Sequence, residues 1–188
     1  PGSTIAVVGL GGVGLCALLG GLVAGAGRII AIDVADDKLG LARQLGATDT
    51  FNASDPECVA KVVEATKGGV EYAFEVAGVV EAMQTSYAIT RRGGMTVTSG
   101  ISQHQHSFEV PHAQLVVEER AIKGSYMGSS IVRQDVPKFI NLYKQGKLPV
   151  DKLRSGNIGL EDLNEGFDKL AAGDAVRQML VMHPEFNT

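Results

Sequence analysis

Tryptophan is absent from this 188-residue chain, aromatic residues make up only 5%, and there are two cysteines. So few aromatics exclude a base-stacking platform for single-stranded nucleic acid. Positive charge is not in surplus either. Seventeen basic residues face 21 acidic ones for a net charge of −4, and Arg91-Arg92 is the densest basic pair. Neither nucleic acid nor an anionic membrane is expected as a partner. Cys16 and Cys58 make no CxxC pair and no disulfide framework, which points to reduced thiols in a cytoplasmic protein. Cys16 falls next to an apolar helix face and is expected to pack there. His104 and His106 lie in a polar stretch with Glu109 as the nearest acid, a poor ligand set, so no metal site is expected.

Charge is also missing from the start, where Arg28 is the first charged side chain. That stretch has no basic n-region and its apolar run is broken by glycines at Gly9, Gly11 and Gly12. A buried strand, turn and helix explain it better than a signal or a spanning segment. A chain that opens on Pro1 rather than methionine reads as a piece of something longer.

What the chain does contain is glycine, 24 residues of it, and 45% hydrophobic residues. The length fits one domain, or one domain and a tail. Short β-branched runs at residues 4–8, 28–33, 49–52, 70–76, 95–99 and 121–127 alternate with helical periodicities. Leu15, Leu18, Leu19 and Leu22 mark the first helix, Val59, Val62 and Val63 a later one, and Val80, Met83 and Tyr87 another. This alternation predicts an α/β fold, a doubly wound parallel sheet. Beyond about residue 128 the rhythm changes. Val136, Phe139, Ile140 and Tyr143 share one helix face, Leu160, Leu163, Phe167 and Leu170 another, and residues 177–182 read as a last strand.

Gly9-Leu10-Gly11-Gly12-Val13-Gly14 is GxGxxG, placed directly after a strand and opening a helix. Gly9 permits the tight turn, Gly11 the approach of a pyrophosphate, and Gly14 close packing of helix on strand. Free N–H groups of the first helical turn, near Gly12 and Val13, favour phosphate. Asp33 ends the second strand, where a carboxylate accepts both ribose hydroxyls and repels a 2′-phosphate, so NAD is expected over NADP. Asp33 also suits a helix N-cap. Lys38 suits either the edge of the adenosine site or bulk solvent.

Together with Ala31-Ile32-Asp33, Leu45-Gly46-Ala47-Thr48, Phe74-Glu75-Val76-Ala77-Gly78, Arg92-Gly93-Gly94, Ile122-Lys123-Gly124-Ser125 and Asn164-Glu165-Gly166-Phe167, the glycine motif resembles the zinc-type alcohol dehydrogenases of the medium-chain dehydrogenase/reductase family. The resemblance spans nearly the whole chain. It implies a six-stranded Rossmann domain over residues 1–128 and, over 129–188, a C-terminal segment that returns to a catalytic domain not present here. It implies NAD as cofactor, with pyrophosphate on Gly11, Gly12 and Val13 and Arg177 reaching in. Asp33 and Lys38 would take the adenosine ribose, and Val76 and Ala77 would lie along the cofactor. Backbone groups of Ser99, Ser125 and Met127 would hold the nicotinamide carboxamide. It also implies a homo-oligomer paired through a sheet edge near Phe108-Glu109-Val110 and residues 121–127. Zinc would belong to the missing domain. Neither cysteine matches a ligand position, so no catalytic residue or metal ligand is assigned, and the chain alone is expected to be inactive.

Rival readings are weaker. Ser130, Tyr143 and Lys147 spell the catalytic types of a short-chain dehydrogenase. That family places three residues between its first two glycines, however, whereas Gly9 and Gly11 have one between them. Gly146 and Pro149 would also end the helix around Lys147. A zinc-free reductase of the same superfamily usually prefers NADPH, against Asp33. A non-catalytic NAD-binding module or a methyltransferase using S-adenosylmethionine finds no further support.

Overall fold

The branched apolar runs become strands and the periodic stretches helices in the computed structural model, which describes residues 1–183. Residues 184–188 of the expected C-terminal segment lie outside the described part. The elements are β1 (Thr4–Val8), α1 (Gly12–Val23), β2 (Arg28–Asp33), α2 (Asp36–Leu45), β3 (Asp49–Asn52), α3 (Cys58–Ala65), β4 (Val70–Glu75), α4 (Val80–Ile89), β5 (Thr90–Thr98), α5 (His112–Val117), β6 (Ala121–Gly124) and α6 (Val132–Lys144). All belong to a first unit, Pro1–Leu148. The division drawn from sequence at residue 128 thus falls ahead of α6, which stays with the first unit.

The six strands form one parallel sheet in the order β3-β2-β1-β4-β5-β6. This is the doubly wound α/β fold that the strand–helix alternation predicts. Strand order turns back between β1 and β4, and in such sheets ligands enter the crevice beyond the carboxyl ends at that point. The core lies on both faces of β1 and β2, where Ala6, Val7, Ile30, Ala31 and Ile32 are fully buried. Leu15, Leu18 and Leu19 are buried on α1, as the leucine spacing predicts, and the face of Ala6, Ile30 and Ile32 packs with Cys58 and Val62 of α3 and Ala82 and Ile89 of α4.

The second unit begins at Pro149. It holds β7 (Gly156–Ile158), α7 (Leu163–Ala172) and β8 (Gln178–Leu180), with β7 and β8 paired in parallel. Gly173 takes the left-handed backbone that ends α7 (φ 84°).

Several expected boundaries move. The sixth strand stops at Gly124 rather than 127, because Met127 and Gly128 turn left-handed (φ 49° and 65°) in a short 3₁₀ turn over Tyr126–Ser129. The fifth strand starts at Thr90, five residues early, and a register shift opposite Val70/Tyr72 absorbs Gly93 and Gly94. Phe108-Glu109-Val110 lies outside the sheet, so among the described residues the strand at that edge is β6. The last strand spans Gln178–Leu180, not 177–182. Cys16 is exposed, since α1 buries the face of Gly14, Leu15, Leu18 and Leu19 and leaves Cys16 off it; Cys58 is the buried one, and burial raises its thiol pKa.

One ion pair ties β2 to β3. Arg28 Nη2 and Nε donate to Asp49 Oδ1 and Oδ2 at 2.6 and 2.8 Å, and Nη1 donates to the Ala65 carbonyl. The guanidinium hydrogen bond holds the Asp49 carboxyl below its ordinary value of 3.8. A depressed pKa stabilises the fold above the ordinary value, and that contribution is lost as pH falls through the lower, folded one. Both side chains are about a third exposed, so Asp49→Asn should cost ~0.5–1 kcal/mol at neutral pH. In urea unfolding as a function of pH, the gap between wild type and variant should close below the ordinary value. A gap unchanged at low pH would contradict this.

Candidate functional site

The crevice between β1 and β4 is built from three loops. The first is the glycine loop. Gly9 has φ +96°, and its N–H donates to the Ile32 carbonyl at 2.8 Å, folding the turn back over β2. An added Cβ at Gly9 would stand 2.8 Å from the Cβ of Ala77, which shows how closely this loop meets the one after β4. A Cβ at Gly14 would stand 1.8 Å from the Gly9 carbonyl oxygen, so α1 is seated directly on the turn. A Cβ at Gly11 would meet nothing within 4 Å. Gly11 precedes α1, and the helix's first internal bond runs from Leu15 N–H to the Gly11 carbonyl. The N–H groups of Gly12 and Val13 therefore have no carbonyl partner within the helix.

The second loop follows β2. Asp33 is 9% exposed and its Oδ2 accepts the Leu10 N–H at 2.6 Å, while Oδ1 accepts the Ala35 N–H at 3.0 Å. It is not the N-cap of α2; Ala35 holds that position without a side-chain cap. A carboxylate has about four acceptor positions, so two remain for a ligand hydroxyl pair. A pocket of about 200 Å³ lies here, lined by Gly9, Ile32, Asp33, Val34, Ala77 and Glu81 among others. Lys38 is half-buried in α2 and does not line it.

The third loop follows β4; Val76 and Ala77 are the residues expected there, and the role of Glu75 is not. Glu75, 2% exposed, closes β4 as Asp33 closes β2. Its Oε1 accepts the N–H groups of Ala77 and Gly78 at 2.8 and 2.6 Å, and its Oε2 accepts the Thr98 hydroxyl at 2.6 Å. The sequence signal was an acid at the end of a strand, as at Asp33, although β4 also carries Glu71. Glu81, in the pocket lining, carried no signal at all.

The structure thus brings Gly9, Gly11, Gly12, Val13, Gly14, Asp33, Val76 and Ala77 to one crevice. Ser99 and Ser125 lie at the ends of β5 and β6, on the same edge of the sheet. The Ser99 N–H donates to the Glu75 carbonyl and the Ser125 N–H to the Thr98 carbonyl. Met127 is exposed in the turn beyond. Arg177 belongs to the second unit, where its carbonyl accepts the Ser155 N–H. Lys147 lies outside α6, which ends at Lys144, so Tyr143 and Lys147 share no helix face. His106 Nδ1 meets Ser102 Oγ at 3.0 Å. Among the described residues no group of three or more His, Cys, Asp or Glu stands close enough to hold a metal ion, and no helix is long and apolar enough to cross a membrane.

A family model described as "Zinc-binding dehydrogenase" matches residues 12–145. Alcohol dehydrogenase class-2 isozyme 2 of Oryctolagus cuniculus is 38% identical over 184 residues, covering 96% of this chain and 48% of the rabbit protein. Among solved structures, benzyl alcohol dehydrogenase of Acinetobacter calcoaceticus superposes with a TM-score of 0.94 at 31% identity, over 97% of this chain and 50% of that one. A structure from Sinorhizobium meliloti 1021, bound to NADP, superposes with a TM-score of 0.87 at 27% identity, over 96% of this chain and 53% of that one. The chain spans about half the length of these relatives.

Proposed function

The chain belongs to the zinc-binding dehydrogenase family, and from that we propose that it is the NAD-holding half of an alcohol dehydrogenase. The observation that carries the reading is the unobstructed space over Gly11, at the mouth of a helix whose first N–H groups lack partners, beside the strand-end carboxylate of Asp33.

In this reading the N–H groups of Gly12 and Val13 take the pyrophosphate, and the positive end of the α1 dipole offsets its charge. Asp33 takes the ribose hydroxyls with its remaining acceptor positions, and Lys38 shields the outer edge. Val76 and Ala77 line the middle of the cofactor. Ser99 and Ser125 face the carboxamide through their carbonyls, because their N–H groups are already donated; Met127 contributes backbone from the turn beyond β6. Arg177 is assigned to the pyrophosphate by family resemblance alone. The bound nicotinamide supplies the hydride acceptor.

Zinc does not fit the residues present. The described part offers no set of three ligands, and no step is derived through the metal; its ligands are assigned to the half of the enzyme that this chain does not span. The chain should therefore bind cofactor without turning over alcohol. Isothermal calorimetry should find NAD(H) bound at least ~10-fold more tightly than NADP(H), since a 2′-phosphate would sit against Asp33. A panel of alcohols, with and without added zinc, should yield no NADH. Equal affinity for NADP(H), preferential binding of S-adenosylmethionine, or turnover with stoichiometric zinc would each overturn the reading.

We also propose that two copies pair through β6. Among the described residues that strand bonds only to β5, Ile122 is 37% exposed on it, and an open strand edge is satisfied by a two-fold partner. Sedimentation at micromolar concentration should show a dimer; a strict monomer would contradict it.

A further inference from the structure

We propose that Glu75 is a positioning residue whose buried negative charge also biases the crevice toward the oxidised nicotinamide over the reduced one. The inference rests on the cofactor reading above.

Glu75 does two things at once. Through Ala77 and Gly78 it pins the loop that abuts Gly9. Through Thr98 it pins the end of β5, and its own carbonyl accepts the N–H groups of Ser99 and Gly100 at 2.9 and 3.3 Å. The packing leaves no slack: a Cβ at Gly100 would stand 2.3 Å from the Gly78 nitrogen and 2.7 Å from Glu75 Oε1. The wall of the crevice on the β4–β5 side is therefore held by one residue, through its side chain and its carbonyl.

Every donor to that carboxylate is neutral. Among the described residues no Lys, Arg or His pairs with it. His106 lines the same small pocket but is turned to Ser102. A buried, unpaired charge acts over a longer range than a solvated one. The nicotinamide ring is positive in NAD⁺ and neutral in NADH. The Thr98–Gly100 stretch that Glu75 holds is the one proposed to face that ring, so the carboxylate favours the oxidised form. Asp33, at the adenosine end, meets the same ribose in both forms and does not discriminate between them.

Two substitutions separate charge from position. Glu75→Gln keeps the shape: its oxygen can accept from Ala77 and Gly78, and its amide can donate to Thr98 Oγ1 after the hydroxyl rotates. Glu75→Asp keeps the charge and loses the reach. NADH affinity is read by its fluorescence, and NAD⁺ and ADP-ribose by competition. The Gln variant should weaken NAD⁺ relative to NADH by roughly three- to tenfold and leave ADP-ribose within about twofold. The Asp variant should weaken all three together and keep the wild-type NAD⁺/NADH ratio. Circular dichroism checks folding, and the Asp variant decides alone if the Gln variant does not fold. An unchanged ratio in Gln, or a ratio shifted toward NADH in Asp, overturns the proposal. A wild-type chain that binds neither nucleotide would instead overturn the cofactor reading on which it rests.

Discussion

Gly14→Ala should destabilise the chain by at least ~3 kcal/mol, read as a lower urea midpoint. The new methyl would lie 1.8 Å from the Gly9 carbonyl oxygen. Overpacking against side chains costs ~1–3 kcal/mol because side chains rotate away. Here the obstacle is backbone, and it is pinned from two sides: Gly9 N–H on the Ile32 carbonyl and Leu10 N–H on Asp33 Oδ2. Either α1 lifts from the sheet, exposing Leu15, Leu18 and Leu19, or the turn opens. Alanine's higher helix propensity returns only about 1 kcal/mol. A variant within ~1 kcal/mol of wild type would show that helix and turn are not in contact as described.

Gly11→Val, three positions away, should do the opposite. Its backbone has φ −71°, open to any residue, and the space around it is empty to 4 Å. Folding should change by no more than ~1 kcal/mol, the cost of a poorer N-cap residue. NAD affinity should fall at least ~100-fold, because the branched side chain would stand where the phosphates meet the helix N–H groups. The two variants together distinguish a glycine kept for packing from one kept for a ligand. A folded Gly11→Val chain with undiminished NAD affinity would remove the phosphate assignment.

The sequence made the first unit readable because two signals agreed there. Period-two and period-3.6 patterning marked the strands and helices, and GxGxxG with its distant acid marked the crevice. Legibility failed where backbone conformation overrode side-chain pattern. Ser125 and Tyr126 look like strand continuation, but left-handed Met127 and Gly128 end β6 early. Arg92-Gly93-Gly94 looks like a break, but the sheet carries it as an irregularity within β5. The three-residue strands β7 and β8 are too short to show a period, so their pairing was invisible. Glu75 was legible as a residue but not as a role. Its partners are two N–H groups and a hydroxyl from another strand, and backbone donors leave no trace in a sequence.

Topology also fixes the order in which this chain can fold. β1 is central, yet only its β2 side can be completed early. Its other side waits for β4, whose Glu71 accepts the Thr4 N–H from 67 positions away. On the ribosome, at about 5–20 residues per second, that leaves several seconds in which an uncharged, glycine-rich strand and helix have half their packing. Long-range parallel pairing is slow in any case. Refolding from urea should therefore be limited by the closure of β1 on β4.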